Sequence, residues 1–221
     1  MRKAGRLTTV PIWIGFVMAF VVVAGDARSQ NLTDLTTRKA VGVGIFYGIG
    51  TINLSGPPDN ATTEQKGYAA VLPSQISGTG PAIGLSFGLW GLLFGADDNT
   101  HAINRSADVN GTPGNPADDV FVHSVRRVNR SITALWQPYR WVYFGLGRDM
   151  GSVSFSQNSA AGTKETRRFN YTDDFYSLGL AIGFDPTRHA IAPILTVFTK
   201  VPTTQTAFNG VTNGAGFGFY F

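Results

Sequence analysis

The chain has 221 residues, enough for one domain; 14% are charged, 12% are aromatic, 27 are glycine and none is cysteine. Disulfides and thiol chemistry are excluded, and three histidines make a poor basis for a zinc site. Outside the N-terminus no apolar run is long enough to cross a membrane as a helix. Low charge without long apolar runs suits neither an ordinary soluble enzyme nor a helical membrane protein. It suits strands whose faces alternate, because alternation averages out in a hydropathy window.

Residues 1–29 have the pattern of a secretory signal. Arg2, Lys3 and Arg6 precede an apolar stretch from Val10 to Ala24, and Ala27-Arg28-Ser29 before Gln30 fits a cleavage site. Removing Arg2, Lys3, Arg6, Arg28 and Asp26 takes 18 basic and 14 acidic residues to 14 and 13, a net charge near +1. The formal +4 is therefore weak evidence for a nucleic-acid partner. The expected organisation is a signal at 1–29, a polar periplasmic lead-in at 30–39 and one folded domain over 40–221.

Residues 40–52 alternate: Val41, Val43, Ile45, Tyr47 and Ile49 on one face, Gly42, Gly44, Phe46, Gly48 and Gly50 on the other. Residues 53–65, with Gly56-Pro57-Pro58-Asp59-Asn60, read as a loop. Residues 66–75 read as a weaker strand with Tyr68, Ala70 and Leu72 outward, and Ser77-Gly78-Thr79-Gly80-Pro81 as a turn. A third strand is expected over 82–95, its pattern blurred from Trp90 to Phe94, followed by a polar loop over 96–118. Residues 119–137 and 141–155 read as long strands around a tight Pro138-Tyr139-Arg140 turn. Residues 156–174 read as a polar loop and 175–184 as a strand; Asp185-Pro186-Thr187-Arg188 is a type I turn signal. Strands over 190–201 and 211–221 flank a loop at 202–210.

Those are eight strands, with long polar connections alternating with short ones. The last has Ala215, Phe217, Phe219 and Phe221 on one face and Gly214, Gly216 and Gly218 on the other. A terminal Phe preceded by alternating aromatics resembles the last strand of bacterial outer-membrane β-barrels. That resemblance implies an assembly signal at Phe217, Phe219 and Phe221, read by the outer-membrane assembly machinery. The fold expected is all-β, an eight-stranded antiparallel up-and-down transmembrane barrel, similar in architecture to the OmpA and OmpX group. It would sit in the outer membrane as a monomer, closed by pairing 211–221 with 40–52. A soluble sandwich or lipocalin-like barrel would have no reason to sort its loop lengths, and would put aromatics inside. An eight-strand lumen is narrow enough to be filled by side chains. Its glycines leave room for Phe46, Tyr143 and Tyr220 to pack across.

The basic residues are the most informative candidates. Arg126, Arg127 and Arg130 share one strand, and no single register hides all three from lipid. Counting up from Pro138 puts Ile132, Ala134 and Trp136 outward in the membrane slice, with Arg130 at its outer part and Arg126 and Arg127 at or above the interface. A bulge there would account for Phe121 and Val125 falling on the other parity. With Arg148, Lys164, Arg167 and Arg168 these residues form an expected outer collar that pairs with lipid phosphates, those of lipopolysaccharide. The opposing reading turns the arginines into the lumen, against Asp149 or rim carboxylates. Asp97-Asp98, Asp118-Asp119 and Asp173-Asp174 are read as solvated edges where strands meet outer loops, more than as Ca²⁺ or Mg²⁺ ligands. His101, His123 and His189 supply no catalytic constellation. His123 and Ser124 are neighbours on a strand and point apart, unlike the same-face His and Ser of barrel lipid-A deacylases. No catalytic residue, metal or cofactor is expected. The role expected is structural or surface interaction; a narrow channel for small or apolar solutes and a lipid-modifying enzyme are the alternatives.

Overall fold

The structure, a computed structural model, describes residues 42–112, 119–139, 141–159, 162–183 and 191–221. The signal, the lead-in, Asp118, Arg140, the 185–189 turn and His189 lie outside these residues. Eight antiparallel strands close into a barrel in sequence order: β1 (Gly42–Leu54), β2 (Gln75–Phe87), β3 (Trp90–Ala107), β4 (Val120–Tyr139), β5 (Val142–Asn158), β6 (Lys164–Gly183), β7 (Ala192–Pro202) and β8 (Gly210–Tyr220). A helix, α1 (Thr63–Val71), lies in the first outer connection. β8 returns to β1 as expected, with Ile45 opposite Phe219 and Tyr47 opposite Phe217.

Period-two alternation decides which side each residue faces. Val43, Ile45, Tyr47, Ile49, Phe217 and Phe219 are exposed on the outside. At the turn end, Trp136 sits between Trp90 and Phe144, with ring centroids 6.5 and 5.9 Å away. In water this apolar belt would need a cover; in hydrocarbon it needs none. The inner face carries the glycines. Gly48 lies between Gly80 and Gly216, and Gly50 between Gly78 and Gly214, so the thin stretch of wall spans β2, β1 and β8. Elsewhere several of the missing side chains make room for inward aromatics. A Cβ at Gly44 or Gly218 would strike Phe46, at Gly42 Tyr220, and at Gly179 Tyr143.

Three expectations about the chain between β1 and β4 are corrected. Residues 66–75 are not a strand. Thr62 caps α1: its hydroxyl accepts from the Gln65 amide at 3.2 Å, and the Gln65 side chain accepts from the Thr62 amide at 3.0 Å. Tyr68 accordingly points into a core, not outward. Ser77 to Pro81 is not a turn but the outer half of β2, where Pro81 pairs with Tyr47. Residues 82–95 are two strands, joined by a hairpin at Gly88-Leu89 that relies on Gly88 at φ 62°. This hairpin is why the alternation blurs at Trp90.

The polar stretches are also mostly strand. β3 runs to Ala107, β5 to Asn158, and β6 starts at Lys164, leaving only 108–119 and 159–163 as connections. β3 to β6 have 18, 20, 17 and 20 residues, against 13, 13, 11 and 11 in β1, β2, β7 and β8. A tilted strand crosses the hydrocarbon in about 9–11 residues. The four long strands therefore stand well above the membrane as a sheet. α1 and the last loop pack on its inner side: Tyr68, Val71, Leu72, Val122, Val125, Val153, Phe155 and Phe208 form one buried cluster. A register shift between Val122 and Ser124 accounts for Phe121 facing out, as expected. Val125, expected to share that parity, faces the cluster.

The C-terminal pairing sets a test of assembly. The Phe221 amide donates to the Val43 carbonyl at 2.8 Å, and Phe219 is exposed on the apolar face. A carboxylate near the interface costs about 0–1 kcal/mol in the folded barrel. A large defect in Phe219→Asp would therefore arise in recognition of the chain, before folding. We expect several-fold less heat-modifiable barrel in the outer-membrane fraction, while Pro58→Ala in the first loop leaves the yield unchanged. Normal yield from Phe219→Asp would exclude the assembly role.

Candidate functional site

Alternation along β4 separates the arginines. Arg126 and Arg130 point outward with Ile132 and Trp136; Arg127 points inward with Asn129 and Thr133 and is 9% exposed. The acidic pairs divide in the same way, since adjacent strand residues face opposite sides. Asp98 and Asp174 are outside; Asp97 and Asp173 are inside. Asp97-Asp98 and Asp173-Asp174 are not strand ends but lie within β3 and β6, and neither pair directs two carboxylates at one ion.

Outside, Arg126 donates through Nε and Nη2 to Asp98 at 2.8 and 2.5 Å. Arg148 grips Asp174 in the same way at 2.7 and 3.0 Å. Arg126 and Arg168 flank Ser154 in one cross-strand row, and Arg130 lies opposite Met150. Arg130, Arg168 and Lys164 are exposed and make no ion pair among the described residues. Arg167 belongs elsewhere: it holds Glu64 of α1 at 2.6 Å and ties β6 to the helix.

Inside, the lumen is layered. A layer of charge crosses it, with Arg127 on Asp97 at 3.2 Å and Lys200 on Asp149 at 3.4 Å. Arg127 also stacks on Tyr171 and Lys200 on Phe175, at 5.4 and 4.3 Å from the ring centroids. Tyr171 donates to Asn129 at 3.1 Å. Above this layer is the apolar cap, where Tyr68 donates to Gln157 at 2.5 Å. Burial pushes the Tyr68 phenol above its ordinary value of 10.0. Below the charge layer is a cavity of about 280 Å³, walled by β1, β2 and β8 glycines on one side and by Ser131, Thr133 and Ser177 on the other. His101 is half-buried on β3, and His123 stacks edge-on against Phe121 at 5.1 Å.

The inward reading, with an arginine against Asp149 or rim carboxylates, applies to Arg127, whose partner is Asp97; Asp149 pairs with Lys200, and sequence reasoning missed Asp97 and Lys200 as lumen residues. Their strand positions were hidden by reading 96–118 as loop and by the lack of an assigned register for β7.

The strands close into an antiparallel barrel with an apolar belt and no free edge strand, as in an integral outer-membrane β-barrel. No family model matches the chain, and no curated protein matches it in sequence. Among solved structures it is similar to Ail, the attachment invasion locus protein of Yersinia pestis, in complex with the heparin analogue sucrose octasulfate. The identity is 14% over 82% of this chain and 97% of Ail, with a TM-score of 0.45. A second Ail structure matches at 17% identity over the same shares, with a TM-score of 0.43. Neisserial surface protein A (NspA) matches at 9% identity over 82% of this chain and 96% of NspA, with a TM-score of 0.38. The likeness goes no further than the barrel.

The two kinds of ion pair differ in consequence. Arg127→Met leaves Asp97 without its counterion in the lumen, and loss of one partner of a buried pair costs about 3–5 kcal/mol. Asp98→Asn breaks an exposed pair and costs about 0–1 kcal/mol. Urea unfolding of the barrel in lipid vesicles should rank them so; equal effects would mean that the lumen is as wet as the surface. The cap adds a pH dependence. Because the folded Tyr68 holds its proton above 10.0, its contribution to stability is complete below that pH and is lost as pH rises beyond it. Tyr68→Phe should flatten the alkaline fall in stability, measured by the same unfolding assay between pH 9 and 11.

Proposed function

We propose that the protein is a structural and surface-interaction barrel whose outward basic side chains bind lipopolysaccharide phosphates at the outer leaflet. The observation that carries this reading is the outward set Arg126, Arg130, Arg148, Lys164 and Arg168 on three consecutive strands, where the apolar belt gives way to Ser, Thr and Asn. An arginine on the lipid face is costly at the midplane but costs only about 0–1 kcal/mol near an interface. A phosphate there supplies charge-assisted hydrogen bonds. Asp98 and Asp174 each occupy two donors of their arginine, fixing its plane and leaving the remaining N–H groups for a ligand. Arg127 and Arg167 are not part of this collar, because each faces another partner.

The four outer connections and the tall β3–β6 sheet form the surface available to partners. The ionic layer and the cap across the lumen favour an anchor over a narrow channel, and they motivate the expectation that the purified barrel gives no discrete conductance steps in a planar bilayer. We assign no catalytic role to His101 or His123, and we read Phe217, Phe219 and Phe221 as the signal for the assembly machinery.

Replacing Arg130, Lys164 and Arg168 together with Ser should lower co-purifying lipopolysaccharide several-fold, while Arg167→Ser leaves it unchanged. Retained lipopolysaccharide in the triple variant would overturn the collar.

A further inference from the structure

Above the lipid belt the outer face of β4 to β6 carries more than a collar needs. The strand register sets its outward residues in rows. Arg130, Met150 and Thr172 share one row. Arg126, Ser154 and Arg168 share a higher one, followed by Ser124, Ser156 and Thr166. Phe121, Asn158 and Lys164 form the row above these.

Height divides the rows between two environments. Met150 and Asn158 lie on one strand, eight residues apart, which is about 26 Å at about 3.3 Å per residue. A tilt of about 40° turns this into about 20 Å of vertical rise. The polar headgroup region adds only about 5–8 Å to each side of the hydrocarbon. Arg130, Arg126 and Arg168 reach headgroup phosphates through their long side chains. Phe121 and Lys164 stand above them.

Lys164 is exposed and makes no ion pair among the described residues. Phe121 is 41% exposed although it stands above the belt. His123 packs on it at 5.1 Å with an interplanar angle of 68°, which orients the ring and leaves part of it open. Between this row and the arginines the face is low and hydroxylated, with Ser154, Ser156 and Thr166. A sugar chain bearing acidic groups matches such a face. The C–H side of a pyranose packs on an aromatic ring by burying apolar surface. Its hydroxyls meet serine and threonine, and a carboxylate or phosphate on it meets the ammonium.

We propose that this face binds the acidic core sugars of a lipopolysaccharide molecule whose lipid phosphates sit in the arginine collar. The proposal rests on that collar, because one ligand then runs up the sheet. Phosphate lies at Arg126 and Arg168, sugar hydroxyls at Ser154 and Ser156, a sugar ring on Phe121 and an acidic group at Lys164. Cations low on the face and a ring high on it suit a ligand rooted in the same leaflet.

The test refolds the barrel in detergent with an equal mixture of two lipids: lipopolysaccharide with a complete core, and lipid A that keeps its phosphates but has no core. Lipid retained on the washed barrel is quantified by mass spectrometry. The unmodified barrel should retain the core-bearing form several-fold over lipid A. Phe121→Ala with Lys164→Ser should lose that preference and still retain lipid A. Phe121→Trp, which keeps a ring, should preserve it, with heat-modifiable migration confirming that each variant has folded. Equal retention of the two lipids by the unmodified barrel, or an unchanged preference in the double variant, overturns the sugar site and leaves the collar standing. Retention of neither lipid overturns both together. A disulfide-linked dimer of Phe121→Cys in membranes would assign the face to a second copy of the chain and overturn the sugar site as well.

Discussion

In hydrocarbon a backbone amide has no solvent to bond with, so every strand must be paired on both edges. That constraint determines the architecture. It forces β8 back onto β1, down to the terminal Phe221 amide on the Val43 carbonyl. It reserves the belt for apolar and aromatic side chains. It also requires that the β2–β3 edge be served where its ladder ends, at Ala82 opposite Gly95. Asn99 serves part of it by accepting from the Thr79 amide, and Gly80 lets the Ala96 carbonyl approach closely.

A second constraint follows from closure. Eight strands enclose a lumen too narrow for large side chains on facing strands at once. The chain answers by pairing large with absent. Phe46 occupies space given up by Gly44, Gly84 and Gly218, and Tyr143 space given up by Gly179. Where glycines meet glycines instead, at Gly48 with Gly80 and Gly216, no aromatic fills the room and the cavity opens. The cavity and the packed regions are thus two outcomes of one composition, separated only by register.

This explains what was legible in the residues. Alternation marked β1 and β8, their pairing and the outward aromatics, because one face is lipid and the contrast is strong. Above the membrane both faces of a strand are polar or apolar for separate reasons, so β3 beyond Ala96 and β6 before Asp174 looked like loop. Gly88-Leu89 was hidden inside an apolar run. The signal for α1 was present in Thr62 and Gln65, spaced as a capping box, but Tyr68, Ala70 and Leu72 also fit a strand. For the candidate site, alternation alone guaranteed that Arg126 and Arg127 part company. Knowing which faces lipid required Ile132 and Trp136 to set the parity, and knowing that Arg127 meets Asp97 required the β3–β4 register.

The vertical order inside the barrel then has a physical logic. Arg127 and Lys200 each meet a carboxylate in the lumen, and such pairs need shielding from competing water to be strong. The cap of Tyr68, Phe155 and Phe208 provides that shield from above, and the apolar cavity provides it from below. Arg167 on Glu64 fastens the helix that carries Tyr68 to the tall sheet, so the shield depends on an exposed ion pair at its rim. The ionic layer in turn separates an outer surface facing water from the apolar cavity below it. Outer and inner surfaces therefore differ within one small barrel: exposed arginines on β4 to β6, and an apolar cavity behind the glycines of β1, β2 and β8.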